Sequence, residues 1–324
     1  MIKFADMFCG GGLGARGAVM AGCHPVAAVD SWDIAGATYK DNFPDANVTV
    51  DRIENVDPVQ ATGEEKIDLL LTSPECTNHS VAKGAKPICE ISRRSAFHSL
   101  TWAKALDPRW IIMENVPQIR SWERYPELLQ GLADLGYGVQ ETILNSAEFG
   151  VPQARRRWFL MCEKGNNPLV PEPITAIFTP VSSILDPSGV WRTSPLYTEK
   201  RAKRTILYAE RAMSELGDGS SFLVVYYGSD ASGGWQSLDE PLRTVTTLDR
   251  FALVEKIAGE YRMRMLQPNE LARAMGLPVE HRFNQGTRRD KVKLCGNGIC
   301  APVMSVIVQS LIGSNLQCQP AIAV

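Results

Sequence analysis

The sequence predicts an α/β protein built on a doubly wound, mostly parallel sheet with a smaller second domain inserted. Three observations carry this reading. Short apolar or β-branched runs alternate with helix-like segments through the first half. A glycine cluster separates the first such run from the first helix. The composition changes at Lys164 to a stretch rich in Pro, Asn and Ser.

Taken in order, 2–8, 25–30, 67–73, 110–116, 139–144 and 158–163 read as strands, and 14–21, 96–106 and 125–135 as helices. After Lys164 come irregular loop, a basic helix candidate TEKRAKRTILYAERAMSEL and the glycine-broken SFLVVYYGSDASGGW. From about Tyr261 the pattern turns helical (NELARAMGL) and ends in CGNGICAPVMSVIVQSLI, a turn feeding an apolar helix. The expected organisation is a catalytic and cofactor-binding domain over 1–163, an inserted domain over 164–255, and a return over 256–324 that completes the first. In doubly wound sheets ligands bind beyond the carboxyl ends of the strands, so a site is expected at those ends.

Composition excludes several classes. The chain has 324 residues, 44% hydrophobic and 22% charged, with a formal net charge of −2. That balance is globular and not generally basic, so any nucleic-acid contact rests on local patches. No apolar run approaches the ~18 residues of a membrane span, and MIKFADMF lacks the shape of a signal peptide. Eight cysteines without framework spacing fit reduced thiols in a cytoplasm. No CxxC pair occurs and the four histidines are dispersed, so no metal site is expected.

Four strand ends carry candidate chemistry. DMFCGGGLG, from Asp6 to Gly14, follows the first strand, where glycines let backbone approach a ligand and expose amide groups at a helix start. Asp30 ends the next strand, placed to bond a ribose diol. TSPECTNHS, from Thr72 to Ser80, sets Cys76 just beyond the apolar run IDLLL, and ENV puts Glu114 at the end of a neighbouring strand. QARRR opens another strand, with Arg155 and Arg157 expected on one face and Arg156 on the other. Each alone has a plain structural reading: a tight turn, a solvated cap, an edge strand.

In this order the set is more specific than any member, and it resembles the cytosine-C5 DNA methyltransferases over nearly the whole chain except the middle domain. The family's glycine motif is matched by DMFCGGGLG, its cysteine loop by SPECTNHS and its Glu-Asn-Val by ENV. QARRR matches its Gln-x-Arg-x-Arg, RMLQPNELARAMGLP looks like its late Arg-x-Leu-Thr-x-x-Glu helix, and GNGI its closing Gly-Asn turn. The resemblance implies a Rossmann-like S-adenosylmethionine-dependent methyltransferase sheet with an inserted target-recognition domain, acting on C5 of a flipped cytosine in double-stranded DNA. It implies a covalent Cys76 adduct, with Glu114 at N3 and the exocyclic amine, Arg157 at O2, and Arg155 supporting the loop or a phosphate. For the cofactor it implies Phe8 on the adenine, Asp30 on the ribose, Asp51 at the adenine amine and Asn297 at the methionine end, with Gly10, Gly12, Leu13 and Ser73 around them. For DNA it implies Ser80, Lys83, Arg93 and Arg94 in the loop after Cys76, and Thr244 and Thr246 in RTVTT. The basic run Lys200, Arg201, Lys203 and Arg204 is expected to face phosphates on its own charge pattern.

The expected protein is a monomer in the cytoplasm, without a membrane partner and with room for a companion restriction enzyme. The same chemistry on RNA, or a DNA-binding relative without turnover, are the alternatives; a nicotinamide oxidoreductase leaves Cys76 and QARRR unexplained. Two departures stand out: Glu75 and Thr77 flank Cys76 where the family usually has Pro and Gln, and Gly298 stands where Ser or Ala is commoner. Glu75 is expected to pair with Arg93, Arg94 or Lys83, because a free carboxylate beside a thiol disfavours the thiolate.

Overall fold

In the computed structural model, residues 1–75, 89–228 and 233–313 are described. Leu69, Leu70 and Leu71 are consecutive and all buried, which in a strand requires cover on both faces. Leu69 and Leu71 pack into one core and Leu70 into another; Ile111 and Ile112 divide the same way. The sheet between these two cores contains β1 (Lys3–Met7), β2 (His24–Asp30), β3 (Asn47–Val50), β4 (Leu69–Thr72), β5 (Trp110–Asn115) and β6 (Tyr137–Asn145). The two-residue β7 (Gln153–Ala154) stands apart from it, and β8 (Arg156–Lys164) inserts between β5 and β6.

The seven strands run in the order β3-β2-β1-β4-β5-β8-β6. Pairings among the first five are parallel, and β8 is antiparallel to both neighbours. This one reversal positions the site. The carboxyl ends of β1, β2, β4 and β5 share an edge, and the antiparallel strand brings its beginning, QARRR, to that same edge. Trp158 is registered opposite Asn115 of the ENV motif.

Helices α1 (Leu13–Met20) and α2 (Asp33–Asn42) lie on one side. The short α3 (Pro58–Ala61) and α4 (Glu90–Arg93) are followed by α5 (His98–Leu106) and α6 (Tyr125–Asp134), and α3, α5 and α6 cover the other side. The predicted helix over 96–106 is α5 preceded by a 3-10 turn, Arg94–Phe97.

The inserted unit has its own five-stranded sheet, formed by β9 (Ser194–Pro195), β10 (Phe222–Val225), β11 (Trp235–Ser237), β13 (Phe251–Ile257) and β14 (Glu260–Met265). A further pair of residues, β12 (Leu242–Arg243), runs parallel to β7 and joins the unit to QARRR. Helix α7 (Lys203–Leu216) covers one face of the five-stranded sheet through Tyr208, Ala209 and Ala212, while Leu223, Val225 and Leu253 on the other face join the main core. The sheet therefore extends to Met265, ten residues beyond the boundary that composition suggested. Residues 261–265, read as the onset of helix, form a strand because Tyr261, Met263 and Arg264 are buried at sheet spacing or by pairing. Arg264 donates twice to Glu270, at 2.7 and 2.6 Å, and Glu270 also accepts from the backbone amides of Gln267 and Asp186.

The return comprises α8 (Pro268–Ala274), α9 (Arg288–Asn297) and α10 (Ala301–Gly313). By length and composition the stretch Arg288–Gly313 would suit a membrane span, yet 61% of its most apolar window is buried inside the fold. Gly17 of α1 faces it so closely that a Cβ there would lie 2.4 Å from the Ala301 carbonyl oxygen. It is a core element.

Candidate active site

The chain leaves β1 in a sharp left-handed turn, with φ of 57° at Phe8, 52° at Gly10 and 78° at Gly12. A left-handed backbone costs an L side chain ~1–2 kcal/mol, which glycine avoids and Phe8 bears. The turn exposes the amide of Gly10, which donates to Asp30 Oδ2 at 2.8 Å, while Trp32 N donates to Asp30 Oδ1 at 2.9 Å. Asp30 is thereby fixed at the end of β2. Burial pushes its carboxyl up, opposed by these amides and by the charge of Lys293.

A cleft of about 880 Å³ opens above this turn at the carboxyl edge. That volume lies within the range for nucleoside-sized ligands. Phe8, Gly10, Leu13, Asp30, Ser73 and Asn297 all line it. Ser73 Oγ donates to the Phe8 carbonyl at 3.0 Å, tying the end of β4 to the glycine turn. Two expected cofactor residues are elsewhere. Gly12 is absent from the lining, and a Cβ on it would meet Phe43 at 2.7 Å, so its place is dictated by the turn and the core behind it. Asp51 is exposed and outside the cleft, its Oδ1 accepting from Arg52 N at 2.6 Å and Asn55 Nδ2 at 2.9 Å. Arg52 and Ile53 line the cleft at that position.

Sequence reasoning missed Trp32, Lys293 and Asp6, all of which line the cleft. The burial of Asp6, reinforced by Asp30, pushes its carboxyl well above the usual carboxylate range. Cys9 lines the same cleft, where burial and the nearby Asp6 push its thiol well above normal, an environment that opposes the thiolate. The position of Asp6 in an apolar strand was the one available signal; Trp32 could have been sought two residues after Asp30.

At the other end of the cleft Glu114 is 6% exposed and pairs with Arg157, Nε to Oε1 at 3.1 Å. Burial raises the Glu114 carboxyl, and Arg157 and Arg155 pull it back. A buried acid beside one guanidinium can both hold a proton and release it, which suits hydrogen-bond donation to a ring nitrogen. Its neighbour Asn115, also missed, donates from Nδ2 to the Pro74 carbonyl at 3.0 Å. The backbone leading into Cys76 is thus anchored to the ENV motif. Glu75 accepts from Ser92 Oγ at 2.5 Å, so its carboxylate has a hydroxyl partner on α4. Cys76, Ser80 and Lys83 themselves lie outside the described residues.

Arg155 departs most from its reading. The residue is 2% exposed, and its guanidinium donates to the carbonyls of Val245 (2.9 Å), Gly296 (2.8 Å) and Gly298 (2.9 Å). Of the two roles expected, a support and a phosphate contact, this burial leaves only support. Gln153 acts alongside it, accepting from Val245 N at 2.9 Å and donating to the Ala274 carbonyl at 2.9 Å. Gly296 permits the contact, since a Cβ there would lie 2.3 Å from the Thr246 carbonyl carbon. Gly298 is explained likewise: a Cβ would lie 2.2 Å from Leu13 Cδ2.

The expected DNA contacts divide. Thr244 donates its hydroxyl to the Ala154 carbonyl at 2.9 Å, and Thr246 bonds within its own turn to Leu248, so both hydroxyls hold backbone. Arg201 precedes α7 and ties its turn to β9 through Ser194 Oγ and the Pro195 and Leu196 carbonyls. Lys200, Lys203 and Arg204 are exposed, with Arg204 lying over Tyr208. Arg93 closes α4 half-buried, and Arg94 is exposed, next to cleft residues Ser92 and Ser95.

The sheet with its one reversed strand, and the ligand cleft at its carboxyl edge, define a Rossmann-like methyltransferase fold. The profile of the C-5 cytosine-specific DNA methylases matches residues 2–313, and the chain belongs to that family. It is 30% identical over 161 residues to the type II methyltransferase M.HindV of Haemophilus influenzae, covering 49% of this chain and 52% of that protein. Over 173 residues it is 27% identical to the human tRNA (cytosine(38)-C(5))-methyltransferase, covering 52% and 44%. The aligned part thus spans about half the length of these relatives. Among solved structures, the Entamoeba histolytica methyltransferase EhMeth superposes with a TM-score of 0.71 at 15% identity, over 97% of this chain and 99% of that one. S. pombe Dnmt2 gives 0.71 at 16%, over 98% and 100%.

Proposed function

We propose that the protein transfers a methyl group from S-adenosylmethionine to C5 of a cytosine in double-stranded DNA. The observation that carries this reading is the buried Glu114, paired with the half-buried Arg157 and lining the same cleft as the Asp30-braced glycine turn, with Glu75, the residue before Cys76, also lining it. The type II DNA methyltransferases among the relatives favour DNA, and the inserted unit supplies a second surface for it.

The residues present fit the cofactor. Asp30 keeps lone pairs for a ribose diol, Phe8 and Trp32 offer apolar faces for adenine, and Asn297 lies where the methionine end would reach. Bound there, S-adenosylmethionine supplies an electrophilic methyl group.

Cytosine C5 alone is a poor nucleophile. The Cys76 thiolate adds to C6, and the electron pair of the C5–C6 double bond shifts through the ring towards N3. Glu114, whose carboxyl burial pushes up, donates a proton to N3 as that charge develops, which leaves C5 enamine-like. Arg157 holds O2 and, as Glu114 loses its proton, offsets the new carboxylate charge. After methylation a water-derived base removes the C5 proton, the Cys76–C6 bond breaks, and N3 returns its proton to Glu114. The atoms attacked are closed inside a stacked duplex, so the base is flipped into the cleft. Arg94, Lys83, Lys200 and Lys203 are the candidates for holding the backbone meanwhile.

The test is transfer of labelled methyl from S-adenosylmethionine to duplex DNA and, separately, to transfer RNA, with bisulfite sequencing of the product. Duplex labelling at cytosine, abolished in Cys76→Ser while cofactor binding persists, is expected. Labelling of transfer RNA alone would overturn the DNA assignment, and full activity in Cys76→Ser would overturn the nucleophile.

A further inference from the structure

Lys293 lies on α9, four residues before Asn297, and takes no part in the base chemistry. Its ammonium sits 3.8 Å from the centroid of the Trp32 ring. Both side chains line the cleft, Trp32 half-buried and Lys293 exposed at its mouth. Trp32 follows Asp30 at the end of β2, and its own amide is one of the two that hold the Asp30 carboxylate. One residue thus carries a cation from the return segment on its ring and, through its amide, holds the carboxylate placed for a ribose.

We infer that Lys293 is a cofactor-positioning residue: by stacking on Trp32 it fixes the indole so that the opposite face receives the adenine. This deepens the proposed function and rests on its cofactor reading. Three physical reasons support it. A half-exposed indole has freedom about two side-chain torsions, and a ligand that stacks on it must remove that freedom. Lys293 removes it beforehand, and its aliphatic stem shields the face away from the ligand. A cation on one face also draws π-electron density from the other, which favours stacking by an electron-rich purine.

The second consequence is electrostatic. Lys293 is one of the groups that favour the ionised form of Asp30 against burial. The same side chain therefore braces both the adenine platform and the ribose acceptor. Because α9 continues to Asn297, the lysine also ties these two to the turn where the far end of the ligand would lie.

Titration calorimetry with S-adenosylhomocysteine tests this in the absence of DNA. Binding by the unaltered protein is measured first; no binding there refutes the cofactor reading itself, separately from Lys293. Lys293→Met, which keeps the stem and drops the charge, is expected to weaken binding roughly two- to fivefold, the range of an exposed cation–π contact. Lys293→Arg is expected to restore affinity, since a guanidinium stacks on indole equally well. In a Trp32→Leu background, Lys293→Met is expected to cost clearly less, only the part that acts through Asp30, because the indole it stacks on is gone. An equal loss in both backgrounds would overturn the positioning role. Tighter binding in Lys293→Met would overturn it differently, by showing that the ammonium occupies the adenine's own place and must be displaced.

Discussion

Replacing Arg155 by methionine removes a buried cation that donates to three carbonyls from two distant segments, Val245 in the inserted unit and Gly296 and Gly298 in the return. Methionine fills much of the same volume, so the loss is one of polar satisfaction and little of packing. Each carbonyl deprived of a donor costs ~1–3 kcal/mol when it stays buried. Water entering the space recovers part of this, which leaves an expected destabilisation of ~3–5 kcal/mol, in the range seen when a buried polar network is broken. For a protein with a total of ~5–15 kcal/mol this is a large fraction. Arg155→Lys, able to reach one or two of the carbonyls, falls between. Urea unfolding measures the change as a lower midpoint, and hydrogen exchange locates it: amides at 242–247 and 296–300 lose protection first. A loss under ~1 kcal/mol, or unchanged protection at 242–247, would refute the clamp.

Three further outcomes are expected. Glu114→Gln keeps the shape but cannot cycle a proton at N3, so kcat falls ~10²–10⁴-fold while S-adenosylhomocysteine binding by calorimetry is retained; a loss under tenfold would refute proton donation. His281 is buried and faces Arg16, and burial first, then that cation, depresses its imidazole to about 3. The folded protein therefore holds the neutral form; this contribution is complete above the unfolded value of ~6.5 and is lost as pH falls towards 3, roughly 2 kcal/mol by pH 5. His281→Asn should flatten the acid-side fall in urea midpoints, and an unchanged slope would refute the assignment. Neutralising the exposed Lys200 and Lys203 to Gln should lower the salt slope of DNA binding by about one unit per lost phosphate contact, read by fluorescence anisotropy; an unchanged slope makes them a solvated turn and helix start.

Much of this site was legible because strand ends in a parallel sheet must share an edge. Strand order put the glycine turn, Asp30 and Glu114 at one edge and the resemblance added Ser73, and all four line one cleft. What stayed hidden was how side chains are used at longer range. Arg155 and Arg157 look equivalent in QARRR, yet one is held by carbonyls as far as 143 positions away and the other by Glu114. No local pattern distinguishes them, because the partners are backbone atoms of other segments. Asp51 and Arg201 show the same limit: a charged residue in the right place can bond to nearby protein groups instead, Asp51 to its own turn and Arg201 to β9. Lys293 and Trp32 escaped because their contact joins β2's end to α9, positions remote in the chain.

The packing of α1 against α10 has a consequence for the order in which the protein is made. Gly17 leaves the ribosome long before the Ala301 backbone it lies against is synthesised, because the whole inserted unit lies between them in the chain. At ~5–20 residues per second the delay between them is roughly 15–60 s. During that time the helix that carries the glycine turn has no cover for its apolar face, although the strands behind it are already available to pair. The nascent chain therefore presents its cofactor-binding corner half-built, a surface that a holding chaperone would recognise. Contacts of such sequence separation also form late and slowly once the chain is free. The cover for this corner is thus complete only once α10, which follows the inserted unit, has been translated.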